Sequence, residues 1–119
     1  MTQEQKELLL KDLCARLHYG VKVNNEIQGD FEIYGVCENY IFARSITNHA
    51  DFHIEKIKPY LFPLSSMTEE QLLELSSISF ENSIDSSIKT LNWCYKNHFD
   101  IYGLIPMDLA IDATELKIY

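Results

Sequence analysis

The hydrophobic period of the chain changes at Gly20, and no other feature limits the fold as much. Before it, "TQEQKELLLKDLCARLHYG" sets Leu9, Leu10, Leu13, Cys14 and Leu17 at helical intervals along one stripe. Thr2 and Gln5 have capping-box spacing, and Gly20 suits the left-handed residue that ends a helix. Residues 1–20 are therefore expected as a helix. From Val21 the period drops to two. "VKV" alternates, "NNE" reads as a turn, and "IQGDFEIYGV" alternates again through Phe31 and Ile33. "CEN" turns into the aromatic and β-branched "YIFARSI", and "TNHA" turns into "DFHIEKI". In that last run Phe52, Ile54 and Ile57 need a local irregularity to share a face.

Four short strands joined by tight turns predict an antiparallel meander or a small SH3-like barrel over residues 21–64. Closing the barrel would remove the exposed edges of so small a sheet. Pro59 cannot donate to a ladder, so the last strand is expected to end there, with a one-turn 3₁₀ segment in "IEKIKPYLFP".

The remaining residues, 65–119, are expected to be largely helical. Thr68 can cap a helix that Gln71 answers from the third position, with Met67 stapled to Leu72. "SSISFENS" interrupts that helix. A second then runs from about Ile84 to Asn97, with Ile84, Ile88, Leu91 and Tyr95 on its apolar side and Trp93 and Cys94 widening it. The tail is apolar and weakly periodic. It is expected to fold back over the helices, with a helical turn near Pro106. The fold class is thus α+β, one domain over residues 1–119.

Composition narrows the function by exclusion. Apolar residues make up 46%, a globular proportion, yet no apolar run nears the roughly 18 to 20 residues that span a bilayer. The polar, acidic N-terminus lacks the pattern of a signal peptide. Three scattered cysteines without a CxxC suggest reduced thiols in the cytoplasm. The net charge is −8, with nine acids against three bases in residues 65–119. No Lys/Arg cluster exists to displace counterions from phosphates, so direct nucleic-acid binding is not expected. The acidic half could meet a basic protein surface.

Two groups of residues carry candidate chemistry. Tyr34, Tyr40, Phe42 and Phe52 could line an aromatic groove for proline-rich or methylated peptides, or else fill the barrel. In "NHFDIYGLIPMDLAID", His98 and Asp100 lie two apart beside Tyr102. A carboxylate beside a histidine can orient and activate it, but the plainer reading is a helix end with His98 on the last carbonyls. Cys94 and His98 share a helix side, yet zinc needs three or four ligands. His49 and His53 stand about 13 Å apart along a strand, too far for one metal. Ser65 and Ser66 lack a nucleophile motif, and no phosphate-binding glycine loop is present. No cofactor or metal is expected.

The blocks "CARLHYGVKV", "KPYLFPLSSMTEEQ" and "NHFDIYGLI" resemble those of a group of small proteins from Bacteroidetes bacteria, their phages and mobile elements. Relatives there read "CARLPYGVKV", "KPYLFPMSSMTEEQ" and "HHFDYRGLI". The resemblance implies a genomic setting and no particular reaction. His18 stands where the group has proline, and Ile101-Tyr102 where it has Tyr-Arg, which removes a cation from that turn. The function expected is non-enzymatic protein–protein interaction in an accessory protein of such a genome. Two alternatives are an acidic inhibitor of a defence nuclease, with Glu69, Glu70 and Glu74 imitating phosphates, and a small enzyme using His98 or Cys94.

Overall fold

The computed structural model describes residues 1–79 and 83–119. The N-terminal helix α1 (Gln3–Arg16) starts at Thr2, whose hydroxyl accepts from the Gln5 N–H while the Gln5 side chain accepts from the Thr2 N–H. A 3₁₀ turn, Leu17–Tyr19, follows, and Gly20 takes the left-handed conformation at φ 68°. Strands β1 (Lys22–Asn25), β2 (Gly29–Cys37), β3 (Tyr40–Arg44) and β4 (His49–His53) then form an antiparallel meander. The irregularity that Phe52, Ile54 and Ile57 required is the 3₁₀ turn Ile54–Lys56, and all three side chains are buried.

The expected four-stranded SH3-like barrel is not what forms. β5 (Lys58–Leu61) pairs antiparallel with β1, and β6 (Ile111–Asp112) adds parallel to β5. The result is an open, mixed six-stranded sheet in the order β4-β3-β2-β1-β5-β6. Two physical causes stand out. The tail supplies the strand that occupies the edge a barrel would have closed, and α1 with the tail covers the inner face, so burial needs no curling. Nor does Pro59 end the last strand. It pairs with Val23 one residue before the β6 pairing begins at Tyr60, near the ladder's end, where a missing donor costs least.

α2 (Glu69–Ile78) and α3 (Ile84–Lys96) begin at capping boxes on Thr68 and Ser83. The predicted break "SSISFENS" reaches residues 80–82, outside the described ones. The staple partner Leu72 is exposed instead, and Met67 packs with Leu75 and Ile78 against Trp93, Cys94 and Phe99. Residues 98–119 form turns and β6, with turn but no helix at Pro106, and they fold onto the sheet: Leu104, Leu109 and Ala110 join the main core with Leu9, Leu13, Val23, Ile33 and Ile41.

α1 keeps most of the predicted stripe, with Leu9 and Leu13 buried and Leu10 and Leu17 packed against the same core, but its buried side extends over residues the stripe did not include. Cys14 is exposed, and Asp12 and Arg16 lie fully buried beside Leu9 and Leu13. Two charges tolerate that position because they answer each other. Arg16 Nε and Nη2 donate to the two Asp12 oxygens at 2.7 and 2.9 Å, and Nη2 also donates to the Phe99 carbonyl at 2.5 Å.

Candidate functional site

Strand alternation sends Ile41 and Ala43 of β3 into the core and turns Tyr40, Phe42 and Arg44 outward. Cross-strand register sets His53 opposite Tyr40, Asp51 opposite Phe42 and His49 opposite Arg44. On the other side, β2 bulges at Tyr34, between the Ile33–Ala43 and Gly35–Phe42 pairs. Tyr34, following inward Phe31 and Ile33, faces outward with its ring centroid 6.5 Å from that of Phe42, and the residue the bulge adds turns Gly35 outward as well. A Cβ at Gly35 would stand 3.2 Å from Phe42 Cδ2, so the missing side chain is what lets that ring lie against the strand.

Tyr34, Phe42 and Tyr40 are thereby brought together on one outward face, while Phe52 goes inside and meets Phe31 edge-on at 5.1 Å. Tyr34 and Tyr40 remain about half exposed, at 46% and 52%. Each is steadied by a histidine: Tyr34 by His49 at 5.8 Å and Tyr40 by His53 at 5.6 Å, both edge-to-face. The Arg44 guanidinium lies 5.6 Å from the Tyr34 ring centre and 3.6 Å from Glu32. Past Arg44 the face opens into a depression of about 600 Å³, lined by Lys22, Glu32, Arg44 and Ile46 among others. β4 is the outer strand, with β3 as its one neighbour in the sheet.

His49, His53 and Arg44 were not singled out for this face from the sequence. The signal was present: His49 and His53 are four apart in a strand and so share a side with Tyr40 and Phe42 once the hairpin register is known.

The other candidates, His98, Asp100 and Tyr102, sit elsewhere and have structural partners. α3 ends in a Schellman motif, with Phe99 N–H donating to Cys94 O at 2.9 Å and His98 N–H to Tyr95 O at 3.1 Å. His98 holds the left-handed position at φ 63°, where glycine is usual. Its ring stacks on Tyr119 at 3.5 Å and 9°, and its buried Nδ1 has no hydrogen-bond partner among the described residues. Burial, with Arg16 and Lys22 nearby, brings its pKa down to about 4. The Asp100 oxygens accept from the Leu104 and Ile105 N–H groups at 2.9 Å each, shaping the turn that follows. Tyr102 O–H meets Tyr95 O–H at 3.1 Å, under Lys11. Cys94 is packed with Trp93 and Phe99, and burial pushes its thiol pKa up, away from the reactive thiolate.

Glu69, Glu70 and Glu74 are exposed on α2, with Glu70 and Glu74 on one side and Glu69 turned away by about 100°. Among the described residues no group of three or more His, Cys, Asp or Glu side chains could hold a metal, and no helix is long and apolar enough to cross a membrane. Comparison with family models, curated proteins and solved structures returns no match to this chain.

Proposed function

We propose that the chain is a non-enzymatic protein-binding module of the cytoplasm, an accessory protein of a bacterial, phage or mobile-element genome. It takes an extended, proline-rich segment of its partner on the outer face of β2–β4. The observation that carries this reading is the strip of half-exposed rings, Tyr34, Phe42 and Tyr40, held in fixed orientation by His49 and His53. Rings of this kind contribute large contact area at low conformational cost. The strip is shallow and follows the strands, which suits an extended chain better than a helix. A polyproline II segment leaves its carbonyls unbonded, and the tyrosine hydroxyls can donate to them.

Titration with a synthetic PxxP peptide, followed by backbone amide shifts, tests the idea. Shifts are expected to cluster on β2, β3 and β4, and Tyr34→Ala with Tyr40→Ala to weaken binding about tenfold or more. Gly35→Ala, which displaces the Phe42 ring without removing an aromatic, should weaken it less. No binding at millimolar peptide, or shifts confined to other elements, would sink the proposal.

A further inference from the structure

α3 carries an apolar stripe, Ile84, Ile88, Leu91 and Tyr95, at successive intervals of four, three and four residues. That spacing is the d-a-d-a seam of a coiled coil. The helix is fixed to the body by other positions: Ser86, Trp93 and Cys94 are buried, and Tyr95, at the end of the stripe, is covered and lies 5.1 Å from the Arg16 guanidinium carbon. The first two turns of the seam face outward. Ile84 is 83% exposed, Ile88 53% and Leu91 44%.

The charges beside this seam match those of its own copy. Asp85 stands at the N-terminal end of one flank and Lys96 at the C-terminal end of the same flank, with uncharged Asn92 between them nearer the seam. Asp85 holds Lys89 at 3.1 Å, while Lys96 has no ion pair among the described residues. An antiparallel two-fold pairing that packs a against d sets Ile88 against the copy's Leu91. In that register Asp85 is offset from the copy's Lys96 by about two residues, roughly 3 Å along the helix axis, which a lysine side chain can span. Opposed helix dipoles favour the same direction, whereas parallel pairing would leave Asp85 and Lys96 on opposite edges of the interface from their counterparts, with no pair formed.

We propose that this face is a self-association surface: two copies meet through antiparallel α3 helices, with Ile84, Ile88 and Leu91 as the seam and Asp85–Lys96 pairs at its ends. It uses a different surface from the aromatic face, so each dimer presents two copies of that face. Because only two turns are open, the dimer is weak and forms as concentration rises.

Sedimentation equilibrium from micromolar to millimolar protein tests it. The expected mass moves from 13.9 kDa toward twice that value, and Ile88→Glu, a surface change that should leave circular dichroism unaltered, holds the chain at the monomer mass. Asp85→Lys alone and Lys96→Glu alone should each weaken association at least tenfold, and mixing the two variants should restore it as a heterodimer. A chain that stays monomeric throughout, a dimer that Ile88→Glu leaves intact, or a mixture that fails to recover association would each overturn the proposal. So would a different protein that occupies Ile88 while the chain alone stays monomeric.

Discussion

Asp12→Ala is expected to lower the unfolding free energy by about 3 to 5 kcal/mol, among the largest effects of any single substitution in this chain. The residue lies on α1 with its side chain wholly buried, and among the described residues its only charged partner within hydrogen-bonding distance is Arg16. Removing the carboxylate strands a guanidinium in the core whose Nη1 already has no partner among the described residues. Arg16→Met is expected to do comparable harm from the other side. It leaves Asp12, whose pKa burial already pushes up against the pull of Arg16, without a counterion, and leaves the Phe99 carbonyl without its donor. The paired replacement Asp12→Leu with Arg16→Met should recover most of the loss, because neither charge then remains to be desolvated. A residual deficit of about 1 to 3 kcal/mol is expected from the unpaired carbonyl. Urea unfolding of the parent, Asp12→Leu, Arg16→Met and the paired variant supplies the double-mutant cycle, with Asp12→Ala measured beside it. Single variants within about 1 kcal/mol of the parent would show that the pair is not desolvated.

That pair also marks where sequence reading fell short. Period and capping located α1, the four meander strands, α2 and α3 to within a few residues, because those signals are local. Asp12 and Arg16 could not be placed inside from the sequence. A charged i, i+4 pair looks like surface decoration until a distant acceptor, the Phe99 carbonyl, is known to lie above it. The barrel failed for a similar reason. Whether a short sheet closes depends on what covers its face and edge, and here that cover comes from residues 98–113, whose weak periodicity hid a strand of two residues.

The aromatic face was partly legible. Alternation put Tyr40 and Phe42 on one side of β3 and Tyr34, after inward Phe31 and Ile33, on the outer side of β2, but the bulge that turns Gly35 outward as well, beneath the Phe42 ring, is what alternation does not reveal. The apolar stripe of α3 was legible as a pattern, and its C-terminal part (Tyr95, with Trp93 and Cys94) is buried as expected, but its first part is not. Trp93 and Ser86 turn inward, and three of the four stripe residues are left outside. In "NHFDIYG" the helix end was the right reading, but His98 does not sit on the last carbonyls as a cation: its ring packs on Tyr119 and burial holds its pKa down, which gives that block its physical consequence.

Acidification from about pH 6.5 to about pH 4 is expected to remove roughly 2 to 3 kcal/mol of stability through His98 alone. The imidazole stacks on Tyr119, holds Nδ1 in a buried position without a partner among the described residues, and feels the positive charges of Arg16 and Lys22. Burial first, and then the two positive charges, disfavour the imidazolium, so the folded-state pKa falls from 6.5 to about 4. The unfolded chain therefore binds a proton below about pH 6.5 that the folded chain refuses until about pH 4. Stability from this residue is complete above the unfolded value, declines through that window as pH falls, and declines no further below it. The full shift would correspond to about 3.4 kcal/mol, and partial access of water to the ring reduces it. Carboxylates titrate in the same range, so the comparison must be with a variant that keeps the backbone. His98→Asn does so, since asparagine tolerates the left-handed conformation better than most residues. Relative to the parent, the asparagine variant should gain 2 to 3 kcal/mol between neutral pH and pH 4, because it lacks the proton linkage. Its disadvantage at neutral pH, from the lost Tyr119 stack, should shrink or reverse accordingly. Parallel pH curves for the two proteins, or a proton-NMR titration of His98 with a midpoint near 6.5, would show that the ring is open to solvent and that this linkage does not exist.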